Sequence, residues 1–335
     1  MIEWLQLTKN RQIEILNLVS TKTGLPAYSI EKDWWVTLAL KGAFSTEWAK
    51  YLVFKGGTSL SKSCGLIDRF SEDIDLVLDR EVLGFSGDLS RNKIKELRKA
   101  SCKFTSDPFR EAIGQALVSM GVDKGLFSLS AQSTQDSDRD PQVLELNYKS
   151  VLYKDNYIQE AVLIEVGARS LREPSRQKEI VSIIGGELPD QPFSGSAFSI
   201  ETVDPARTFL EKAFLLHEEF SKPADKVRNE RMSRHLYDLD RLMDTEHGIL
   251  ALSDTNLYRS IIEHRGKFNL VRGIDYSGHH PARINFVPPD KLMQDWEQDY
   301  KAMQNSMIYG ESKNFDTLIS RIIELRDRFR KIKLV

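Results

Sequence analysis

The sequence predicts an α/β (α+β) protein, with a sheet in its first part and a mainly helical second part. Three observations carry that expectation. Leu52 to Leu78 reads as strand, glycine turn, short helix, loop and strand. Alternating or apolar runs of strand length return between Leu126 and Gly167. From Asp204 onward, apolar residues recur at helical spacing. The 335 residues, 41% of them hydrophobic, are enough for one large or two medium domains. The expected division is 1–190 and 191–335, the second domain completing a cleft with the first.

Thr8 to Lys22 forms an amphipathic helix with Ile13, Ile15, Leu16 and Val19 on its apolar side. Leu25-Pro26 ends it, and Ser29 is placed to cap a second helix, IEKDWWVTLALKGAF. Trp35, Leu38, Leu40 and Phe44 supply core there. Lys32 and Asp33 fall in its first turn, where an acidic residue complements the helix dipole, and a structural role is expected of both. Leu52, Val53 and Phe54 make a short strand that stops at Gly56-Gly57. Thr58 or Ser59 then caps a helix of one to two turns. Ser71 to Leu78 alternates as a strand. Ser90 to Met120 is helical, and its first part is basic through Arg91, Lys93, Lys95, Arg98, Lys99 and Lys103. That face is either solvated or a track for a phosphate backbone.

FSLSAQS, QVLELNY and AVLIEVG are three further strands, with a hairpin loop over Ser133 to Gln142. Leu171 to Glu201 is loop-rich, with Pro174, Gly185-Gly186, Pro189 and Pro192. Asp204 caps a long helix and Pro205 takes its first position. Phe209, Ala213, Leu216 and Phe220 form its apolar stripe; Lys212 lies off that stripe. In the next helix Met232, Leu236, Leu239 and Met243 point to core, and Arg234 and Asp238 are one turn apart, so they can pair. ILALSDTNLYRSIIEHR reads as one more helix, RGIDYSGHHPARINFVPP as a loop, and KLMQDWEQDYKAMQ and TLISRIIELRDRFRKIKLV as amphipathic helices. His279 and His280 are adjacent, a poor spacing for a metal.

The chemistry concentrates between Leu52 and Leu78. Asp73 and Asp75 project to one face of their strand because side chains alternate with a period of two. Two like charges side by side require a cation, and hard carboxylate oxygens suit Mg²⁺. The Gly56-Gly57 turn lets backbone N–H groups approach an anion, and the helix behind it adds positive dipole. A glycine cradle beside a metal-binding carboxylate pair suits a nucleoside triphosphate. Gly56, Gly57, Thr58 and Ser59 are the expected cradle. Lys55 reaches triphosphate oxygens or solvent. Ser71 shares a face with Asp73 and is placed to bond a phosphate or orient a carboxylate. Arg69, in the same loop, is placed to do similar work, with a surface arginine as the default.

LVFKGGTSLSK followed by RFSEDIDLVL resembles the nucleotidyltransferase fold of the polymerase-β superfamily. More closely, it is similar to the AbiEii/AbiGii-type toxin nucleotidyltransferases of bacterial toxin–antitoxin and phage-defence systems. EKDWWVTLAL, PARTFLEKAFLL and RHLYDLDRL resemble further elements of that family, so the likeness extends to about Asp244. The resemblance implies a core with a mixed sheet and Mg²⁺-dependent transfer of a nucleoside monophosphate from an NTP to a hydroxyl. It implies that Lys55 belongs to the site, that Lys212 faces the nucleotide and that Asp238 completes the site. Glu165 is the candidate third carboxylate, a base or a ligand to a second metal; Arg169 just beyond it is placed to face the same cleft. The implied acceptor is RNA, the 3′ end of tRNA, and the implied biology is a growth-inhibiting toxin neutralised by a separately encoded antitoxin. Two other readings stay open: a small-molecule nucleotidyltransferase akin to those acting on aminoglycosides, and an NTP-binding module with little turnover.

Composition narrows the partners. A formal net charge of −2 gives no global field toward nucleic acid, so RNA contacts must come from local basic patches. Arg326, Arg328, Arg330, Lys331 and Lys333 make one such patch near the end of the sequence. Cys64 and Cys102 give neither a disulfide framework nor zinc spacing. The expectation is a cytoplasmic monomer with no membrane segment.

Overall fold

Pro26 starts the second helix where Ser29 was expected to. The computed structural model describes residues 1–134, 136–152, 160–269 and 273–334; Gln135, Arg272 and Val335, within segments read above, lie outside the described residues. Helix α1 (Lys9–Thr23) is capped by the Thr8 hydroxyl and ends on Gly24 in the left-handed conformation. Helix α2 (Ala27–Ala43) begins behind Pro26, whose carbonyl accepts from the Ser29 and Ile30 N–H groups. Ser29 is therefore inside the helix and buried.

Nearly every residue of α2 is buried, so its charged run Glu31-Lys32-Asp33 must find partners on three sides. Glu31 accepts from the Ser150 hydroxyl (2.6 Å) and the Val151 N–H (2.8 Å), and burial pushes its carboxyl up. Lys32 pairs with Glu72 at 2.6 Å. Asp33 pairs with Lys62 at 2.6 Å and accepts from the Ile183 N–H at 2.7 Å. Lys32 and Asp33 thus lie in the second turn, not the first, and they bind side chains rather than complement the dipole.

Strand β1 (Leu52–Lys55) runs straight into α3 (Gly56–Lys62), and β2 (Ile74–Leu78) follows. Helices α4 (Arg91–Phe104) and α5 (Arg110–Ser119) are joined by a π-helical turn, Thr105–Phe109. Then come β3 (Phe127–Ala131), β4 (Gln142–Tyr148), β5 (Ala161–Gly167), β6 (Ser175–Ile180), α6 (Ile183–Glu187) and β7 (Phe198–Val203). Among the described residues the strands form one sheet of seven in the order β3-β4-β5-β2-β1-β7-β6. It is mixed: β1–β2, β3–β4 and β4–β5 are antiparallel, β2–β5 and β1–β7 parallel. The stretch read as loop-rich, Leu171 to Glu201, contains β6 and most of β7. Its prolines and glycines fall between the strands, and the charged SRQKEI of β6 is an exposed edge strand whose side chains give little apolar signal. The central strands bury Val53, Phe54, Leu76, Val77, Ile164 and Val166.

The remaining helices are α7 (Pro205–Phe220), α8 (Ser233–Leu242), α9 (Glu246–Ser253), α10 (Thr255–Phe268), α11 (Met293–Ser306) and α12 (Phe315–Phe329). Asp204 caps α7 and Pro205 opens it, as expected. The segment read as one helix divides at Asp254, whose carboxylate accepts from the Leu257 N–H and starts α10. His279 is fully buried, 2.9 Å from Glu218, which also pairs with Arg265 at 2.6 Å. Its role is structural.

By packing, the chain divides into two units. One comprises Met1–Ser63 and Phe70–Thr202, the other Cys64–Arg69 and Val203–Val335. Six residues between α3 and β2 therefore belong to the helical unit, although the elements on either side of them belong to the sheet unit.

Candidate active site

Lys55, Asp75 and Glu165 occupy one level of the sheet. Lys55 is paired in register with Asp75 across β1–β2, and Asp75 with Glu165 across β2–β5. Directly opposed residues point to the same face, on strands roughly 4.8 Å apart, so a cation and two carboxylates stand in a row. All three are half-buried. Asp73 precedes β2 by one residue, because the strand begins at Ile74 rather than Ser71. The Lys55 ammonium donates to the Ser170 hydroxyl at 2.9 Å.

The glycine turn touches this row directly. Gly56 has φ +82°, and a Cβ built there would lie 1.9 Å from Asp75 Oδ2. The Asp75 carboxylate therefore rests against the backbone of Gly56, which only glycine permits at that φ. Helix α3 begins at Gly56, not at Thr58 or Ser59, and no side chain caps it, leaving the donors of its first turn without a capping side chain. Thr58 and Ser59 are buried within the helix. The Thr58 hydroxyl engages the Asp73 carbonyl and the Ser71 hydroxyl. Ser59 donates to the Gly56 carbonyl at 2.9 Å. These hydroxyls tie the turn, Ser71 and Asp73 into one piece; the anion-facing groups left are backbone amides.

In the helical unit Lys212 and Asp238 meet. Lys212 Nζ is 2.8 Å from Asp238 Oδ2, and both are buried. A lysine off the apolar stripe of a helix ordinarily faces solvent, and the family resemblance alone set Lys212 apart; here it faces a buried carboxylate. Arg69 takes the less expected of its two readings, binding a carboxylate instead of lying on the surface. Far from being on the surface, it is 2% exposed and holds both Asp238 oxygens, each at 2.7 Å. Burial alone would push the Asp238 carboxyl up; Arg69 and Lys212 overcome that and hold it well below the usual carboxylate range. Burial lowers the Lys212 amine, against the pull of Asp238. His235 is buried one turn before Asp238's end of α8, and burial, then Lys212 and Arg234, hold its imidazole well below the usual range.

Four more charged residues support the sheet-unit site. Lys32 fixes Glu72, next to Asp73, and Asp33 fixes Lys62, the last residue of α3. The signal was present: a helix apolar on every side can carry charges only where each is matched. Arg169, expected near the site, has its guanidinium 2.8 Å from Asp140. On α4, Arg91, Lys93, Lys95, Lys99 and Lys103 are exposed, while Arg98 approaches Asp138 at 3.5 Å.

A mixed sheet that seats an aspartate against a glycine turn, with a lysine and a second carboxylate level with it, is the framework of a nucleotidyltransferase. The chain belongs to the AbiEii nucleotidyl transferase toxin family of type IV toxin–antitoxin systems, whose model matches residues 39–321. Among solved structures it is similar to MenT4, a nucleotidyltransferase toxin from Mycobacterium tuberculosis H37Rv. The two share 17% identity at a TM-score of 0.54, over 98% of this chain and 91% of that one. That likeness is one of fold. No curated protein matches the chain.

Proposed function

We propose that this nucleotidyltransferase toxin moves a nucleoside monophosphate from an NTP to the 3′ hydroxyl of a tRNA. The observation that carries the reading is the Asp75 carboxylate seated on Gly56, level with Lys55 and Glu165. In this reading the backbone of Gly56 and Gly57 cradles phosphates, while Thr58, Ser59 and Ser71 brace the cradle from within. Asp73 and Asp75 are the Mg²⁺ ligands. Among the described residues no group of three or more His, Cys, Asp or Glu gathers to hold a metal. Two aspartates nevertheless fit Mg²⁺, which takes one or two protein carboxylates and completes its shell with phosphate oxygens and water. When bound, the ion would offset charge on the phosphates and orient them.

The acceptor oxygen attacks the α-phosphorus, the bond to the β-phosphate oxygen breaks, and pyrophosphate leaves with the electron pair. Glu165 takes the acceptor's proton. Lys55 offsets phosphate charge, the role that the family resemblance implies for Lys212 as well. Asp238 has both oxygens engaged by Arg69, so we assign it to holding Lys212 rather than to deprotonating the acceptor. The exposed lysines and arginine of α4 supply a basic face for RNA. Membership of a type IV toxin–antitoxin family supports a cognate antitoxin and a role in phage defence. Among the described residues no helix is long and apolar enough to cross a membrane.

The test is incubation with each labelled NTP, Mg²⁺ and total tRNA. Label on tRNA that is lost in Asp75→Ala is the expected result. Label on a small molecule alone, or NTP bound without turnover, would replace this reading with one of the two alternatives.

A further inference from the structure

The lysine beside the glycine turn is held by a neutral partner. Lys55 is in register with Asp75, so the two side chains leave the same face of the sheet on neighbouring strands. A lysine and an aspartate opposed in this way are placed to form an ion pair. Among the described residues Lys55 forms none; its ammonium donates instead to the Ser170 hydroxyl at 2.9 Å. Lys55, Asp75 and Ser170 all belong to the sheet unit.

A built turn brings that hydroxyl to the lysine. Ser170 lies five residues beyond Glu165, which is level with Lys55 through Asp75. Had β5 run on straight, Ser170 would stand roughly 16 Å further along the sheet, beyond the reach of a lysine side chain. The chain instead bends over residues 168–170, and both sides of the bend are pinned. Before Ser170, the buried Asp140 carboxylate accepts from the Ala168 N–H at 3.1 Å and from Arg169 Nε at 2.8 Å. After it, Arg172 pairs with Asp79 and donates to the Lys50 carbonyl at 3.1 Å.

A hydroxyl oxygen accepts from an ammonium without bringing a countercharge, whereas a carboxylate in its place would accept and also offset the lysine's charge. We propose that Ser170 is a positioning residue for the NTP. It holds the Lys55 ammonium out of an ion pair with Asp75 and leaves its charge for the phosphates beside the Gly56 turn. The inference rests on the reading of Lys55 as a phosphate-binding lysine, and it adds the residue that directs it.

The test is the affinity of the full chain for each NTP with Mg²⁺, measured by equilibrium dialysis, with circular dichroism as a check on folding. Ser170→Thr keeps the hydroxyl and is expected to stay within about threefold of native. Ser170→Ala removes the acceptor and is expected to weaken binding about five- to tenfold. Ser170→Asp keeps an acceptor but adds the countercharge, and is expected to weaken binding roughly thirtyfold or more. A residue that only held the lysine still would rank the aspartate above the alanine. In a Lys55→Met background, itself weaker than native, Ser170→Ala is expected to cost no more than about twofold further. The full alanine effect persisting in that background, an aspartate variant binding as tightly as the alanine, a threonine as weak as the alanine, or Ser170→Ala binding as the native protein does overturns the inference while leaving the site intact. A native chain that binds no NTP, or Lys55→Met binding as the native protein does, overturns the reading of Lys55 and the inference together. If Ser170→Ala fails to fold, the order of the threonine and aspartate variants decides: aspartate binding as tightly as threonine overturns the inference.

Discussion

Gly56 has no room for a side chain. A methyl group there would overlap Asp75 Oδ2 at 1.9 Å, in a backbone conformation with φ +82°. Gly56→Ala is expected to cost ~1–3 kcal/mol and to displace the carboxylate, with nucleotidyl transfer falling at least about a hundredfold. Adding Asp75→Ala removes the overlap, so urea unfolding should show part of the stability returning while transfer stays lost. If stability does not return, the contact between the turn and the carboxylate is not what makes glycine necessary. His235 carries a pH prediction. Its folded imidazole titrates below the usual value of about 6.5, so between the two values the unfolded chain binds the proton and the folded chain does not. Stability is full above about pH 6.5 and declines as pH falls, by at most ~1.4 kcal/mol per unit. His217 is shifted in the same direction, chiefly by burial. The urea midpoint should therefore drop between pH 7.5 and 5.5, and His235→Gln should flatten the drop; an equal drop in the variant would exclude His235 as its source.

At the scale of elements, α2 is the strut behind the site. Its Asp33 holds the end of α3 through Lys62 and the start of α6 through the Ile183 N–H. Lys62 also donates to the Thr37 hydroxyl at 2.8 Å and the Val181 carbonyl at 3.2 Å. Asp33→Ala leaves a buried ammonium and a helix-start amide without their carboxylate, at an expected cost of ~3–5 kcal/mol. Replacing both partners, Asp33→Leu with Lys62→Met, should cost clearly less. Denaturant unfolding of the two variants checks this, and equal losses would mean that the charge pair is not the source. The elements near the glycine turn were legible because periodicity changes there within a few residues, from two to 3.6 and back. What escaped were starts and edges. Pro26 outcompeted Ser29 as a helix start because its carbonyl is the first acceptor. Strand β6 was invisible because an edge strand with polar side chains lacks the apolar signal.

For the molecule as a whole, the sequence showed which residues carry charge chemistry but not which of them meet. Gly56 and Asp75 lie within 20 positions of each other, and the strand–turn–strand pattern was enough to set them on neighbouring elements. Arg69 and Asp238 are 169 residues apart, and nothing in local spacing links them. Unit membership makes the same point, since Cys64–Arg69 pack with a unit that otherwise begins at Val203. Residues 203–335 expressed alone would lack Asp68 and Arg69, leaving Asp238 without its fork and Arg241 without its carboxylate. The expected loss of ~3–5 kcal/mol is comparable to the stability of a small domain. Such a fragment should melt without a cooperative transition by circular dichroism, and a sharp transition would show that the six-residue excursion is dispensable. The same excursion sets a clock on biosynthesis. With 169 residues to add between Arg69 and Asp238, a ribosome working at about 5–20 residues per second takes roughly 10–30 s to bring out the second partner of the pair. Over that interval Arg69 is out of the ribosome with no Asp238 carboxylate to receive it, so the helical unit cannot close around its buried guanidinium until α8 has emerged.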